Sequence, residues 1–285
     1  MALDGQMIGL ERFDTVAEGL DHPEGVTIGP DGMLYAGGEA GQVYRVAADG
    51  TVEELASTGG FLYGVTVDGD SYVYACDLGN ASLVRVSRDG EVSTYSNGTP
   101  ERPMRVPNAS AFDPEGNLYV TDSGEWGADD GVVYRISREG ATVVWTDAIG
   151  GFPNGCAISF EDDALLVVES RARRVVRIPF EDDGSAGAPV DVADLSGSQP
   201  DGVAVGADGS LFVGCYRPDR VWRVDPDGAA EVWAEDEDGV ILNQPANVVF
   251  TGERLDRIVV SSLGGWSLMA ADAGVHGQPL RYPTL

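Results

Sequence analysis

Short apolar runs separated by Asp-Gly steps recur along this chain, and such steps between alternating runs mark hairpin turns. One stretch shows the plan clearly. Runs at roughly 202–205, 210–214, 220–224 and 229–233 predict four consecutive strands. They are split by Ala207-Asp208-Gly209, Arg217-Pro218-Asp219 and Pro226-Asp227-Gly228. The same arrangement recurs around Pro30-Asp31-Gly32 and Ala48-Asp49-Gly50, and again around Pro114-Glu115-Gly116 and Arg138-Glu139-Gly140. Second strands match at Leu34-Tyr35, Leu118-Tyr119 and Leu211-Phe212. Third strands match at Val43-Tyr44-Arg45-Val46, Val133-Tyr134-Arg135-Ile136 and Val221-Trp222-Arg223-Val224. Their aromatic residues are expected to pack between neighbouring sheets.

Each group of four strands opens on a short anchor. Five anchors contain proline: Pro23-Glu24-Gly25, Pro107-Asn108-Ala109, Pro153-Asn154-Gly155, Pro200-Asp201-Gly202 and Pro245-Ala246-Asn247. A sixth, Tyr63-Gly64, has lost it. Anchors at 24, 63, 108, 154, 201 and 247 are spaced by 39, 45, 46, 47 and 46 residues. A period of this size with strand contents predicts an all-β, six-bladed β-propeller with four-stranded blades, a single domain over residues 1–285. The sixth repeat lacks a fourth strand after Trp266 to Ala270. Glu11 to Ala17 resembles the fourth strands and is expected to close the last blade, removing an open sheet edge. Topology then places the anchors and the insertion Asp122 to Gly131 on one rim, with the Asp-Gly turns that follow the first strands on the opposite face.

Composition narrows the function. Eighteen basic residues face 47 acidic ones for a net charge of −29, and every basic side chain is Arg. Such a surface repels nucleic acid and anionic membrane, both of which need basic patches. The absence of Lys excludes the usual Schiff-base catalysis. Self-repulsion of this size is relieved by salt, which points to a high-salt cytoplasm. Met1 to Leu10 lacks the pattern of a signal peptide, and no apolar run is long enough to span a membrane. A cytoplasmic protein, monomeric or weakly homo-oligomeric, is expected. Cys76, Cys156 and Cys215 have no C-x-x-C spacing and read as reduced, structural thiols.

Candidate chemistry gathers at the anchors. Glu24, Asn108, Asn154 and Asp201 come from four blades in one register, so they are expected to face each other across the channel. Two carboxylates and two amide oxygens make a hard, oxygen-only set suited to one divalent cation: Ca²⁺, Mg²⁺ or Mn²⁺, with Fe²⁺ possible. The bland alternative is that Asn and Asp before Gly are turn residues. Asn247 is offset by one position and reads as a turn residue, Tyr63 as a wall of the mouth, and His22 as rim. With only His22 and His276 available and no Ser elbow, a Ser-based nucleophile has no support. A zinc site lacks its His and Cys spacing.

These anchors, with Cys215-Tyr216-Arg217-Pro218-Asp219-Arg220-Val221, Asn243-Gln244-Pro245-Ala246-Asn247 and Ser262-Leu263-Gly264-Gly265-Trp266, resemble the senescence marker protein/gluconolactonase/luciferin-regenerating enzyme superfamily over nearly the whole chain. The resemblance implies a metal-binding propeller that hydrolyses a sugar lactone. Glu24, Asn154 and Asp201 are then metal ligands, Asp201 also the general base, and Asn108 a contact to metal or substrate. Substrate hydroxyls would be held by Asn108, Glu125, Trp126 or Tyr216. Arg105 stands three residues before Asn108, where the family's substrate-binding Arg often stands two before. Ala109 replaces the Asp usual in family lactonases, so substrate preference is expected to differ from gluconolactone. Two other readings stay open: a non-catalytic propeller binding a ligand or partner at its mouth, and a hydrolase of another ester, phosphotriester or lactone.

Overall fold

A computed structural model describes residues 7–285, so most of the Met1–Leu10 stretch lies outside the described residues. The strands form six antiparallel sheets of four, each a blade. Blade 1 runs Val26–Ile28, Leu34–Gly37, Gln42–Val46 and Val52–Ser57. Blades 2 to 5 open on Leu62–Val67, Pro107–Phe112, Pro153–Ile158 and Gln199–Val205, and each continues outward in sequence order. Blade 6 takes Pro245–Thr251, Arg257–Ser262 and Ser267–Asp272 from the chain's end. Its fourth strand, Asp14–Glu18, comes from the chain's beginning.

The six-bladed ring and its N-terminal closure agree with the sequence reading, with shifts at the ends. The closing strand lies at Asp14–Glu18, because a 3₁₀ turn occupies Leu10–Arg12. The strands of blade 5 are longer than the apolar runs alone indicate: Gln199–Val205, Leu211–Arg217, Asp219–Val224 and Ala230–Glu235. Pairing by backbone hydrogen bonds carries the strands past the last apolar residue into polar positions.

The core lies between blades. Tyr74, Cys76 and Leu83 of blade 2 pack on Phe112, Leu118 and Val120 of blade 3, and Phe212 of blade 5 packs on Phe250 of blade 6. Tyr35, Tyr74, Tyr119 and Phe212, at matching places in their second strands, are all buried. The phenols of Tyr35 and Tyr74 donate to Asp31 and Asp68 in the turns after the first strands, so their burial strands no polar group.

The residues after Asp272 cross the face opposite the anchors. Gly277 bridges Gly206, and Gln278 N–H donates to Val205 O at 2.8 Å. Arg281 pairs with Asp162, Tyr282 hydroxyl donates to Ile28 O at 2.9 Å, and Gly69 N–H donates to Pro283 O at 2.8 Å. This strap touches blades 5, 4, 1 and 2 in turn and floors a channel cavity of about 280 Å³. Val26, Ala111, Ala157, Val203 and Val249 wall the cavity, and Leu280 and Tyr282 close it.

Candidate metal centre

Five of the six anchors distort the strand pairing locally. In blades 2 to 6 the pairing of first and second strands slips at the anchor: Pro107 opposes Asp122 and Pro153 opposes Glu169, and regular pairing resumes only at Ser110 and Cys156. A bulge of this kind re-aims side chains out of the alternation of a strand. Here it sits at the channel end of the innermost strand, in the register of the candidate ligands.

Glycine then lets the blades close up. A Cβ on Gly25 would fall 2.8 Å from Gly64 Cα, one on Gly64 2.8 Å from Ala109 Cα, and one on Gly155 2.6 Å from Gly202 Cα. A Cβ on Gly202 would fall 2.7 Å from Asn247 Cα. Real Cβ atoms do not approach so closely, so the glycines draw neighbouring inner strands into direct contact. Asn247 takes the glycine place in blade 6 and packs on Gly202, which accounts for its offset.

Buried hydroxyls and carboxylates brace these anchors, and the sequence reading missed them. Thr121 donates to Asn154 O at 2.7 Å, Ser170 to Pro200 O at 2.6 Å, and Ser261 to Glu24 O at 2.6 Å. Each hydroxyl reaches from in or just past a second strand to the next blade's anchor, and the Ser261 bond crosses the ring closure. Carboxylates at second-strand ends fix the entry loops. Asp77 accepts from Phe61 N–H, Asp122 from Arg105 and Val106 N–H, and Glu169 from Gly151 N–H.

The four anchor side chains are buried: Glu24 is 8% exposed, Asn108 2%, Asn154 3% and Asp201 3%. Burial raises the Glu24 carboxyl well above its usual range, and the Asp201 charge raises it further. Burial also pushes Asp201 up to about 7, with the neighbouring Asn154 amide drawing it part of the way back. Tyr63 and Tyr216 stand at the same place. Burial raises both phenols, Tyr216 to about 12, and the charges of Glu24 and Asp201 add to the rise. Asn154 Oδ1 and Asp201 Oδ1 are buried without a hydrogen-bond partner. Two buried carboxyls beside an unpaired amide oxygen fit an oxygen-seeking cation, which would supply the missing partner and neutralise the pair.

The other predicted residues lie on the rim. Arg105 Nη2 pairs with Asp130 Oδ2 at 2.6 Å, so its charge is already engaged within the Asp122–Gly131 insertion. Glu125 N–H donates to Asp130 Oδ1 at 2.9 Å. Trp126 is exposed and stands edge-to-face with Phe152, centroids 4.8 Å apart. His22 is a rim residue: its Nδ1 lies 3.1 Å from Asp21 Oδ1 and 2.8 Å from Glu39 Oε2, and its ring is 4.8 Å from Trp266. Cys76, Cys156 and Cys215 are free thiols, all raised by burial, Cys156 to about 12.

A family model described as the SMP-30/gluconolactonase/LRE-like region matches residues 22–264, from the first anchor to the last strand hairpin. The chain belongs to this family. Among curated relatives, the lactonase drp35 of Staphylococcus haemolyticus is 32% identical over 115 residues, covering 39% of this chain. That alignment spans 35% of the relative's own length, about a third. Solved family structures share the propeller. A gluconolactonase of Xanthomonas campestris superposes with a TM-score of 0.79 at 20% identity, covering 91% of this chain and 89% of that one. The calcium-binding protein regucalcin of Agrobacterium tumefaciens gives 0.77 at 17%, covering 95% and 97%. At these identities the likeness is one of fold. No described helix is long and apolar enough to cross a membrane.

Proposed function

We propose that this protein is a metal-dependent lactonase, opening a sugar or related lactone to its hydroxy acid, with Asp201 as general base. One observation carries the reading: Glu24 and Asp201, from different blades, are buried together with no basic side chain to offset their charge, and Asp201 Oδ1 and the neighbouring Asn154 Oδ1 have no hydrogen-bond partner. Lactonase and gluconolactonase relatives, and a calcium-binding one, support it. Glu24, Asn154 and Asp201 would hold the ion, with Asn108 beside them. A divalent cation there supplies Lewis-acid polarisation of a carbonyl and a water of lowered pKa.

The chain's own residues do the rest. Asp201 Oδ1, free of other partners, is placed to accept a proton from an attacking water; beside a cation its basicity is low, so position matters more than pKa. Tyr63 and Tyr216 remain phenols at neutral pH and can donate hydrogen bonds to substrate oxygens. The Trp126–Phe152 pair gives the mouth an apolar wall.

The test is a panel of sugar and simple lactones scored by acid release, with Ca²⁺, Mg²⁺ or Mn²⁺ and with chelator. Turnover should require the cation. Asp201→Asn should lower kcat/KM by at least about 100-fold, within the usual range for losing a general base, without loss of fold by circular dichroism. Undiminished turnover in the chelated protein rules the scheme out.

A further inference from the structure

Ser170 sits just past the second strand of blade 4, fully buried, and touches one candidate ligand and the residue before another, in two different blades. Its Oγ lies 2.6 Å from the carbonyl oxygen of Pro200, the residue before Asp201, and 3.0 Å from Asn154 Nδ2. A carbonyl oxygen can only accept, so the single hydroxyl proton of Ser170 is committed to Pro200. Toward Asn154 the hydroxyl can therefore only accept, and Asn154 must present its NH₂ to it. The amide has two ends, so its Oδ1 is left as the end free for another partner, and it is buried with none. The backbone that carries the hydroxyl is itself held, since Ser170 N–H donates to Phe152 O at 3.1 Å and the adjacent Glu169 accepts from Gly151 N–H at 2.7 Å.

We propose that Ser170 is a positioning residue for the cation site: one hydroxyl sets which end of the Asn154 amide faces the cation and ties that choice to the backbone carrying Asp201. This rests on the metal reading above. Outer-shell groups of this kind typically change metal affinity by about 10- to 100-fold when removed. Without the hydroxyl acceptor, the amide loses its preference for presenting oxygen inward. The strand before Asp201 loses its link to blade 4 at the same time.

The experiment is Mn²⁺ binding to the full chain, followed by electron paramagnetic resonance of the free ion. The proteins are wild type, Ser170→Ala, Asn154→Ala and the double variant. Ser170→Ala should weaken Mn²⁺ binding by about 10- to 100-fold. In the Asn154→Ala background the same change should weaken it much less, because the amide it orients is gone; equal losses in both backgrounds would mean a merely structural role and overturn the proposal. Ser170→Cys keeps the volume with a much weaker hydrogen-bonding group; it should show the same loss and serves if the alanine form does not fold. Wild-type binding with unchanged affinity in the folded Ser170 variants refutes this inference alone. Wild type that takes up neither Mn²⁺ nor Ca²⁺ refutes the metal reading, and this inference with it.

Discussion

Two carboxyls set the pH behaviour of the site. Glu24 is raised well above the usual 4.5, and Asp201 from 3.8 to about 7, both chiefly by burial. Between about pH 4 and 7 the folded, metal-free protein keeps protons that the unfolded chain has released, so its stability falls as pH rises through that window. On the proposed metal reading a cation reverses the sign: it would bind the deprotonated pair, so its binding would release protons and strengthen as pH rises. In chelator the melting temperature should therefore drop from pH 5 to pH 8, and saturating Ca²⁺ should flatten or invert the trend. General acidity contributes to the drop as well. Glu24→Gln, melted in the same buffers, separates the two, since its chelated profile should be shallower than that of wild type. Equal slopes would mean that Glu24 is not held protonated in the folded state.

The strap from Gly274 to Leu285 is the element whose removal reads most directly. It contributes the Arg281–Asp162 pair and the Tyr282–Ile28 bond, and it covers the apolar walls of the channel. Ending the chain at Ala273 should lower stability by about 2–5 kcal/mol, a few buried side chains' worth, measured by urea unfolding. The proposed cation site should survive, read by Mn²⁺ uptake, because none of the strap's bonds reaches an anchor. The blades were legible in sequence because hairpins are local: alternation and Asp-Gly turns lie within a few residues of one another. Asp14–Glu18 was legible because it repeats the fourth-strand pattern. The strap has no period, and its partners are remote, Tyr282 and Ile28 being 254 residues apart. The same contrast divides the site. Glu24, Asn108, Asn154 and Asp201 share a register and so stand out together. Thr121, Ser170 and Ser261 are common residues in strand positions, and the groups they bind belong to the next blade. Arg105 shows the limit of spacing, since nothing near it in sequence announces that Asp130 folds back to hold it.

Charge governs the molecule as a whole. Among the Arg side chains of the third strands, Arg45 forms an ion pair with Glu53, Arg177 with Asp163, and Arg223 with Asp208, Asp225 and Glu231. Such exposed pairs contribute about 0–1 kcal/mol each and weaken in salt. They leave 47 acidic groups against 18 basic ones, an excess of 29 that no pairing can remove. Two effects of KCl should therefore oppose each other, with loss of local pairs destabilising and relief of global repulsion stabilising. With so large an excess, the second should win. The shape of the curve identifies the cause. The screening length falls from about 30 Å at 0.01 M to about 10 Å at 0.1 M and about 3 Å at 1 M. Relief of repulsion should thus raise the melting temperature steeply below about 0.5 M and then level off. Salt acting by exclusion from the surface instead keeps raising it with concentration, as neutral osmolytes do. Thermal melts in KCl, with sucrose as the uncharged control, distinguish these. A melting temperature that is flat or falling between 0.01 and 0.5 M would mean that the Arg pairs outweigh the acidic excess.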